Sequence, residues 1–115
     1  MPPRFIRSHP ASSVTKSAEL EEFLDSCHDE WLRNKAGDAF TELKADYEWG
    51  HKVTKDKWPN YYVTKWGVSK LYVRKLGPDW RLTYALEANG VGISAFCLEI
   101  LTHKEYDRRF GYQTT

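Results

Sequence analysis

The chain has 115 residues, of which 41% are hydrophobic and 29% are charged, and its formal net charge is +1. These values predict one soluble globular domain that spans the whole chain, and the net charge by itself indicates no partner. Two cysteines are too few for a disulfide scaffold, and the longest apolar stretch, at 93–101, is far shorter than the roughly 20 residues that cross a bilayer. Disulfide-scaffold and membrane-spanning classes are therefore excluded, and we expect a cytoplasmic protein with no membrane partner.

The first half of the chain predicts a short strand followed by two helices. The strand lies at 4–8 and is stopped by Pro10. Ser17 is the predicted N-cap of a helix whose apolar stripe repeats every three or four residues, namely Leu20, Phe23, Leu24, Cys27 and Trp31. Gly37 breaks this pattern, and a second helix is predicted over 38–49 with Gly50 as its stop. The two adjacent helices predict a helical hairpin.

The second half predicts an antiparallel meander. Residues 51–67 are polar and aromatic and are interpreted as a connection. Strands are predicted at 70–76, 80–87 and 91–101, with turns at Gly77-Pro78-Asp79 and Ala88-Asn89-Gly90. The tail from Thr102 onward is polar and aromatic. Helices followed by strands predict an α+β fold of two layers.

Strand alternation in 80–87 assigns the two faces of that sheet. One face carries Trp80, Leu82, Tyr84 and Leu86, and the other carries Arg81, Thr83, Ala85 and Glu87. The apolar set is expected to receive the helices. The face that bears Arg81 is expected to be free and open to water.

The charge is unevenly distributed along the sequence. Residues 1–50 carry a formal charge of −4 and residues 51–115 carry +5, with seven basic residues against one acidic residue over 52–75. This asymmetry indicates either nucleic-acid contact on the basic side or a solvated basic face opposite an acidic one. Aromatic residues interleave with these cations, which suits single-stranded nucleic acid. The same rings could equally form the core of a small protein.

Candidate chemical groups gather on the free face and in the tail. Arg81 stands beside Thr83, and the third strand leads to His103 and Lys104. Cleavage of RNA without a metal needs a base, an acid and fixed cations for the charge that grows on phosphorus. A basic, aromatic surface that bears a histidine fits that chemistry. Each of these groups could instead have a structural role, as a surface cation, a strand cap or a ring in the core. His9, His28 and His51 are scattered, and no site is assigned to them.

Two segments carry a resemblance to a known family. The strand Trp80-Arg81-Leu82-Thr83-Tyr84-Ala85-Leu86 and the tail His103-Lys104-Glu105-Tyr106-Asp107-Arg108-Arg109-Phe110-Gly111-Tyr112 resemble the RelE/ParE superfamily of toxins from type II toxin–antitoxin systems, and especially its RelE-like branch. The detailed match covers residues 57–112. The resemblance implies a RelE-like fold with helices on one face. It also implies a metal-independent endoribonuclease, an mRNA interferase without cofactor, that cuts mRNA, in many members on the ribosome, and a cognate antitoxin as partner.

The resemblance also implies roles for particular residues. Arg81 corresponds to the arginine that contacts the scissile phosphate, and the catalytic set is expected to be Arg81, His103, Lys104 and Tyr106. RNA binding is expected from Lys70, Arg74, Lys75, Arg109 and Tyr112. In the tail, the family's basic and tyrosine positions correspond either to His103, Lys104 and Tyr106 or, with a shifted register, to Arg109 and Tyr112. Two alternatives also remain, a ParE-like inhibitor of DNA gyrase and a catalytically inactive RNA-binding member.

Overall fold

A computed structural model describes residues 9–112 of the chain. The strand predicted at 4–8 lies outside the described residues, and the first strand described follows Pro10. In chain order the elements are β1 (Ser13–Lys16), α1 (Ala18–Asp25), α2 (Glu30–Ala45), β2 (His51–Val53), a 3-10 turn (Lys55–Lys57), α3 (Asn60–Trp66), β3 (Leu71–Leu76), β4 (Trp80–Ala88), β5 (Ile93–Thr102) and α4 (His103–Phe110).

The five strands form one mixed sheet in the order β1-β5-β4-β3-β2. β1 runs parallel to β5, and every other neighbouring pair is antiparallel. The predicted meander of β3, β4 and β5 is confirmed. Its two turns each contain a glycine in the left-handed region, Gly77 with φ 74° and Gly90 with φ 89°, which few other residues adopt without strain. The α+β class predicted from the sequence is therefore confirmed.

Helices α1 and α2 pack on the face that the alternation of β4 predicts for them. Leu82, Tyr84 and Leu86 are buried there. They form one core with residues of the two helices, namely Leu20, Leu32, Ala36, Ala39 and Leu43. Ser17 caps α1 as predicted, because its Oγ accepts a hydrogen bond from the Leu20 amide at 3.0 Å and also donates to the Leu98 carbonyl at 2.7 Å. This layer holds the larger part of the apolar core.

The boundary between the two helices differs from the prediction. The break falls at Ser26–Asp29, where the Asp29 carboxylate caps α2 by accepting from the Leu32 amide at 3.1 Å. α2 then passes through Gly37, which is exposed and costs a helix interior about 1 kcal/mol relative to alanine. Trp31 therefore belongs to α2 rather than to the stripe of α1. The helix ends at Ala45, so the predicted stop at Gly50 was wrong.

The face that bears Arg81 is covered, which corrects the two-layer prediction. Helices α3 and α4 pack on it and form a second core with the strands, made of Val53, Tyr62, Leu71, Val73, Ala85, Leu98 and Phe110. The sheet thus lies between two helical layers. The sequence did not reveal this because α3 and α4 have only seven and eight residues, too few for a clear apolar period.

α3 lies in a segment that was interpreted as a connection, and α4 lies in the tail, where no element was predicted. The segment 51–67 contains β2, the 3-10 turn and α3, and the tail contains α4. A capping box begins α4, in which Thr102 Oγ1 accepts from the Glu105 amide at 3.1 Å and the Glu105 carboxylate accepts from the Thr102 amide at 2.9 Å. Between residues 9 and 112, no helix combines the length and the apolar character that a membrane span requires.

Candidate functional site

A cleft opens where the second helical layer leaves part of the sheet uncovered. Its volume is about 510 Å³, and it lies over β2, β3 and β4 beside α4. One arginine, three lysines, a histidine and two tyrosines are among its lining residues, and no carboxylate is among the described ones. They are His51, Lys52, Val53, Thr54, Lys57, Val73, Lys75, Arg81, Tyr106 and Tyr112. The cleft is therefore a cationic and aromatic surface.

Strand register brings the central cations of the cleft together. Lys75 on β3 stands directly opposite Arg81 on β4, and His51 on β2 stands opposite Val73 on β3. Residues that face one another across antiparallel strands present their side chains on the same side of the sheet. The pleat therefore directs these side chains toward the α3–α4 face, where the cleft lies.

Arg81 is held in place by the backbone around it. Its side chain is largely buried, with 8% of the residue exposed. Its Nη1 donates to the Trp80 carbonyl at 3.0 Å and makes a longer contact of 3.5 Å with the Pro78 carbonyl. The guanidinium carbon lies 5.9 Å from the centre of the Tyr106 ring. Arg81 is thus a fixed cation at the wall of the cleft, preorganised for an anion.

Two tyrosines from the end of the chain form the other wall. The Tyr106 ring is half-buried and packs 4.5 Å from the Phe110 ring and 5.7 Å from the Tyr112 ring, measured between centroids. Burial raises the pKa of the Tyr106 phenol, the neighbouring Tyr112 adds to the shift, and the charge of Arg81 opposes it. The phenol is therefore protonated at neutral pH, and burial makes it a weaker acid than a tyrosine in water.

Tyr112 lies at the mouth of the cleft. Its backbone amide donates to the Asp107 carbonyl at 2.8 Å, after a left-handed Gly111 that ends α4. Its ring is 37% exposed, and the Lys57 ammonium lies 5.9 Å from the ring centre. An exposed aromatic face beside a cation suits the stacking of a nucleic-acid base next to a phosphate.

The histidine and lysine predicted to be catalytic lie outside the cleft. His103 and Lys104 are exposed in the first turn of α4, and neither lines the cavity. The His103 Nε2 lies 3.3 Å from an Asp107 carboxylate oxygen, and its backbone amide donates to the Asp79 carbonyl at 2.8 Å. The structure thus gives His103 contacts within its own helix and with the β3–β4 turn rather than with Arg81.

Three of the predicted RNA-binding cations are also placed elsewhere. Arg74 faces α2, where its guanidinium stacks 3.0 Å from the centre of the Trp49 ring and its Nη1 donates to the Trp49 carbonyl at 3.2 Å. Burial lowers the pKa of Arg74. Lys70 lines a separate, smaller cavity of about 180 Å³. Arg109 forms an ion pair with Glu99. Of the predicted set, the cleft brings together Arg81, Tyr106, Lys75 and Tyr112 only.

The cleft also contains residues that the sequence interpretation missed, namely His51, Lys52 and Lys57. The signal for the lysines was present, because seven basic residues cluster over 52–75. The part of that segment at 51–67 was interpreted as a connection, so Lys52 and Lys57 had no predicted location. His51 was set aside because nothing in the sequence shows that β2 pairs with β3.

Metal ligands are sparse in this part of the molecule. Within residues 9–112, no group of three or more His, Cys, Asp or Glu side chains is arranged to hold a metal ion.

Comparison with known proteins found no family model, no curated protein and no solved structure that matches the chain.

Proposed function

We propose that this chain is a RelE-like toxin of a type II toxin–antitoxin system, a metal-independent endoribonuclease that cleaves mRNA. One observation carries the proposal: Lys75 and Arg81, opposite each other on neighbouring strands, share an open cleft with Tyr106. Fixed cations without neighbouring carboxylates favour a polyanionic substrate. Arg81 and Tyr106 belong to the two segments that resemble the toxin family, and Lys75 lies within the wider match over 57–112.

The proposed reaction uses the 2′-hydroxyl of the RNA itself as the nucleophile. Such a reaction requires a base for the hydroxyl proton, an acid for the leaving oxygen, and cations for the charge on phosphorus. Arg81 and Lys75 supply the cations. Tyr106 supplies the proton, and the positive charge of Arg81 beside it opposes the rise in the phenol pKa that burial causes.

We assign the base to His51 rather than to His103. Histidine exchanges its proton within the physiological pH range, and among the described residues His51 is the histidine that lines the cleft. The assignment moves the acid–base role from the tail to β2. Lys104, which is exposed beside His103, has no role in this version of the mechanism.

Single-stranded RNA is the proposed substrate form. Duplex RNA hides its bases, whereas an unpaired base can stack on an exposed ring such as Tyr112. Lys57 beside that ring would hold a neighbouring phosphate. From the family resemblance we further propose a cognate antitoxin as protein partner, the ribosome as the place where mRNA is cut, and the cytoplasm as the location.

The direct test is an RNA-cleavage assay with a matched arginine control. Purified wild type, Arg81→Ala and Arg33→Ala are incubated with labelled single-stranded RNA, free and bound as mRNA to ribosomes. Arg33 is exposed on α2, on the opposite side of the sheet. We expect Arg81→Ala to cleave about 100- to 1000-fold more slowly than wild type, and Arg33→Ala to cleave like wild type.

Other outcomes of this assay would contradict the proposal in different ways. Equal cleavage by wild type and Arg81→Ala would remove Arg81 from the mechanism. Intact RNA together with inhibited DNA gyrase would indicate a ParE-like activity. Salt-sensitive RNA binding without cleavage would indicate an inactive RNA-binding member.

A further inference from the structure

A polar network joins α4 to the sheet and to α3 through residues that do not line the cleft. Glu99 on β5 accepts two hydrogen bonds from Arg109 on α4, one from Nε at 3.1 Å and one from Nη2 at 2.8 Å. The Tyr62 hydroxyl on α3 donates to the Glu99 Oε1 at 2.5 Å and lies 3.1 Å from the Thr83 Oγ1 on β4. The network therefore joins α3, β4, β5 and α4 through one carboxylate.

The geometry of this network is restrictive. A planar guanidinium that pairs with a carboxylate through two parallel hydrogen bonds fixes both orientation and distance, which a lysine ammonium does not. The Arg109 guanidinium is also stacked on the Tyr61 ring, 4.1 Å from its centre. The Glu99 side chain is only 14% exposed, so loss of Arg109 would leave a poorly solvated negative charge.

α4 depends on such anchors because it is short. It has eight residues, too few to be stable as an isolated helix. Arg109 follows Tyr106 by three residues, which in a helix places the two side chains on neighbouring parts of one surface. Phe110 packs between the two sites, with its ring centroid 4.5 Å from Tyr106 and 5.9 Å from Tyr62. The position of Arg109 is therefore coupled to that of Tyr106.

We infer that Arg109 and Glu99 are positioning residues that hold Tyr106 against Arg81 in the cleft, and that Arg109 does not contact RNA. The catalytic part of this inference rests on the proposed ribonuclease function. The geometric part, that the ion pair fixes the place of Tyr106, is independent of any activity. It assigns Arg109 a role different from the RNA contact that the sequence predicted.

The test compares two neighbouring arginines by the same conservative change. Arg109→Lys keeps the charge but loses the bidentate pairing, and Arg108→Lys changes an exposed residue on the same helix. Single-turnover cleavage and RNA affinity are measured for both, at two salt concentrations. We expect Arg109→Lys to lower kcat about tenfold or more with KM within about twofold of wild type. Arg108→Lys should change neither.

A second readout follows Tyr106 without any RNA. 3-Fluorotyrosine is placed at position 106, and its ¹⁹F resonance is recorded in the otherwise wild-type protein, in Arg109→Lys, in Glu99→Gln and in Arg108→Lys, with thermal melts to confirm folding. We expect the resonance to move in both variants of the ion pair and to stay in place in Arg108→Lys. Glu99→Gln keeps the test valid where Arg109→Lys does not fold.

Opposite results would overturn the inference. A raised KM with unchanged kcat, and a salt dependence of RNA binding reduced by about one charge, would make Arg109 an RNA contact. A ¹⁹F resonance that does not respond to either variant would show that the ion pair does not position Tyr106. Absence of cleavage by the wild type contradicts the proposed function alone, and the ¹⁹F result then decides the geometric part.

Discussion

The two faces of the sheet differ in what their alternating side chains contact. On the α1–α2 face, β4 presents Leu82, Tyr84 and Leu86 to a continuous core, and the cation that points there, Arg74, is stacked on Trp49. On the α3–α4 face, the helices are short and leave a cleft of about 510 Å³ at Arg81. The position of a residue along its alternating strand, rather than its charge, therefore decides whether a cation packs against the core or faces the cleft.

The largest expected effect tests the α1–α2 side. Leu82 is fully buried, and Leu82→Ala is expected to lower the free energy of unfolding by about 2–5 kcal/mol through lost transfer energy and a cavity. Val73→Ala at the floor of the cleft removes two carbons beside open space and should cost about 1–2 kcal/mol. Urea denaturation measures both, and equal losses would contradict the division into a main core and a thinner layer.

Alanine substitutions of the two adjacent cations on β3 are expected to affect different properties, the cleavage rate in one case and stability in the other. Lys75→Ala is expected to reduce kcat/KM for RNA cleavage about 10- to 100-fold with little change in stability, because Lys75 lines the cleft. Arg74→Ala is expected to lower the free energy of unfolding by about 1 kcal/mol through lost packing on Trp49, with the cleavage rate retained. The opposite pattern in paired cleavage and urea assays would reverse the faces assigned to β3.

The buried tyrosines predict a loss of stability at high pH. Burial raises the pKa of Tyr62, Tyr84 and Tyr106 above the value near 10 that tyrosine has in an unfolded chain. Their contribution to stability is therefore complete below about pH 10, and it falls above that pH because only the unfolded chain releases these protons. Tyr62 and Tyr84 each cost about 1.4 kcal/mol of stability per pH unit there, and the half-buried Tyr106 costs less because solvent screens its phenol.

Absorbance at 295 nm checks this pH dependence. Of the seven tyrosines, these three and the buried Tyr72, whose pKa burial also raises, should ionise only as the chain unfolds. Tyr106→Phe should remove one of them from the transition. Smooth ionisation of all seven in the folded protein near pH 10 would contradict the burial of these rings.

The smallest expected effect concerns the contact between α2 and the turn beside Arg81. Gly77 has φ 74°, and a Cβ there would lie 2.6 Å from Trp31 Cη2. Gly90 has φ 89° and nothing within 4 Å. Gly90→Ala should therefore cost about 1 kcal/mol for the backbone alone, and Gly77→Ala somewhat more. Equal losses of stability in thermal melts would show that the Trp31 side chain moves aside without a cost in free energy.

Much of the fold followed from local sequence patterns, because turns and strands of the meander depend on neighbouring residues. Ser17 as a cap and the alternation of Leu82 with Arg81 are local signals, and the structure agrees with both. α3 and α4 could not be predicted in the same way, since their stability comes from packing on Val73 and Leu98 rather than from an apolar period.

The site was predicted less completely than the fold, because its residues are brought together by contacts between elements distant in the sequence. Arg81 and Tyr106 come from segments whose residue order is distinctive, and the structure brings them to one cleft. His51 comes from a three-residue strand, and its place depends on long-range pairing with β3. Alternation alone puts Lys75 and Arg74 on opposite faces, but the pairing of β3 with β4 was needed to show that Lys75 shares the face of Arg81.

The central claim is that RNA binds the α3–α4 face, and nuclear magnetic resonance can test it without turnover. A short single-stranded oligonucleotide with 2′-O-methyl groups, which removes the nucleophile, is titrated into ¹⁵N-labelled protein. We expect amide shifts concentrated in β2, the 3-10 turn, Lys75, Arg81 and residues 106–112. Shifts centred on α1 and α2, or no shifts at millimolar oligonucleotide in low salt, would contradict it.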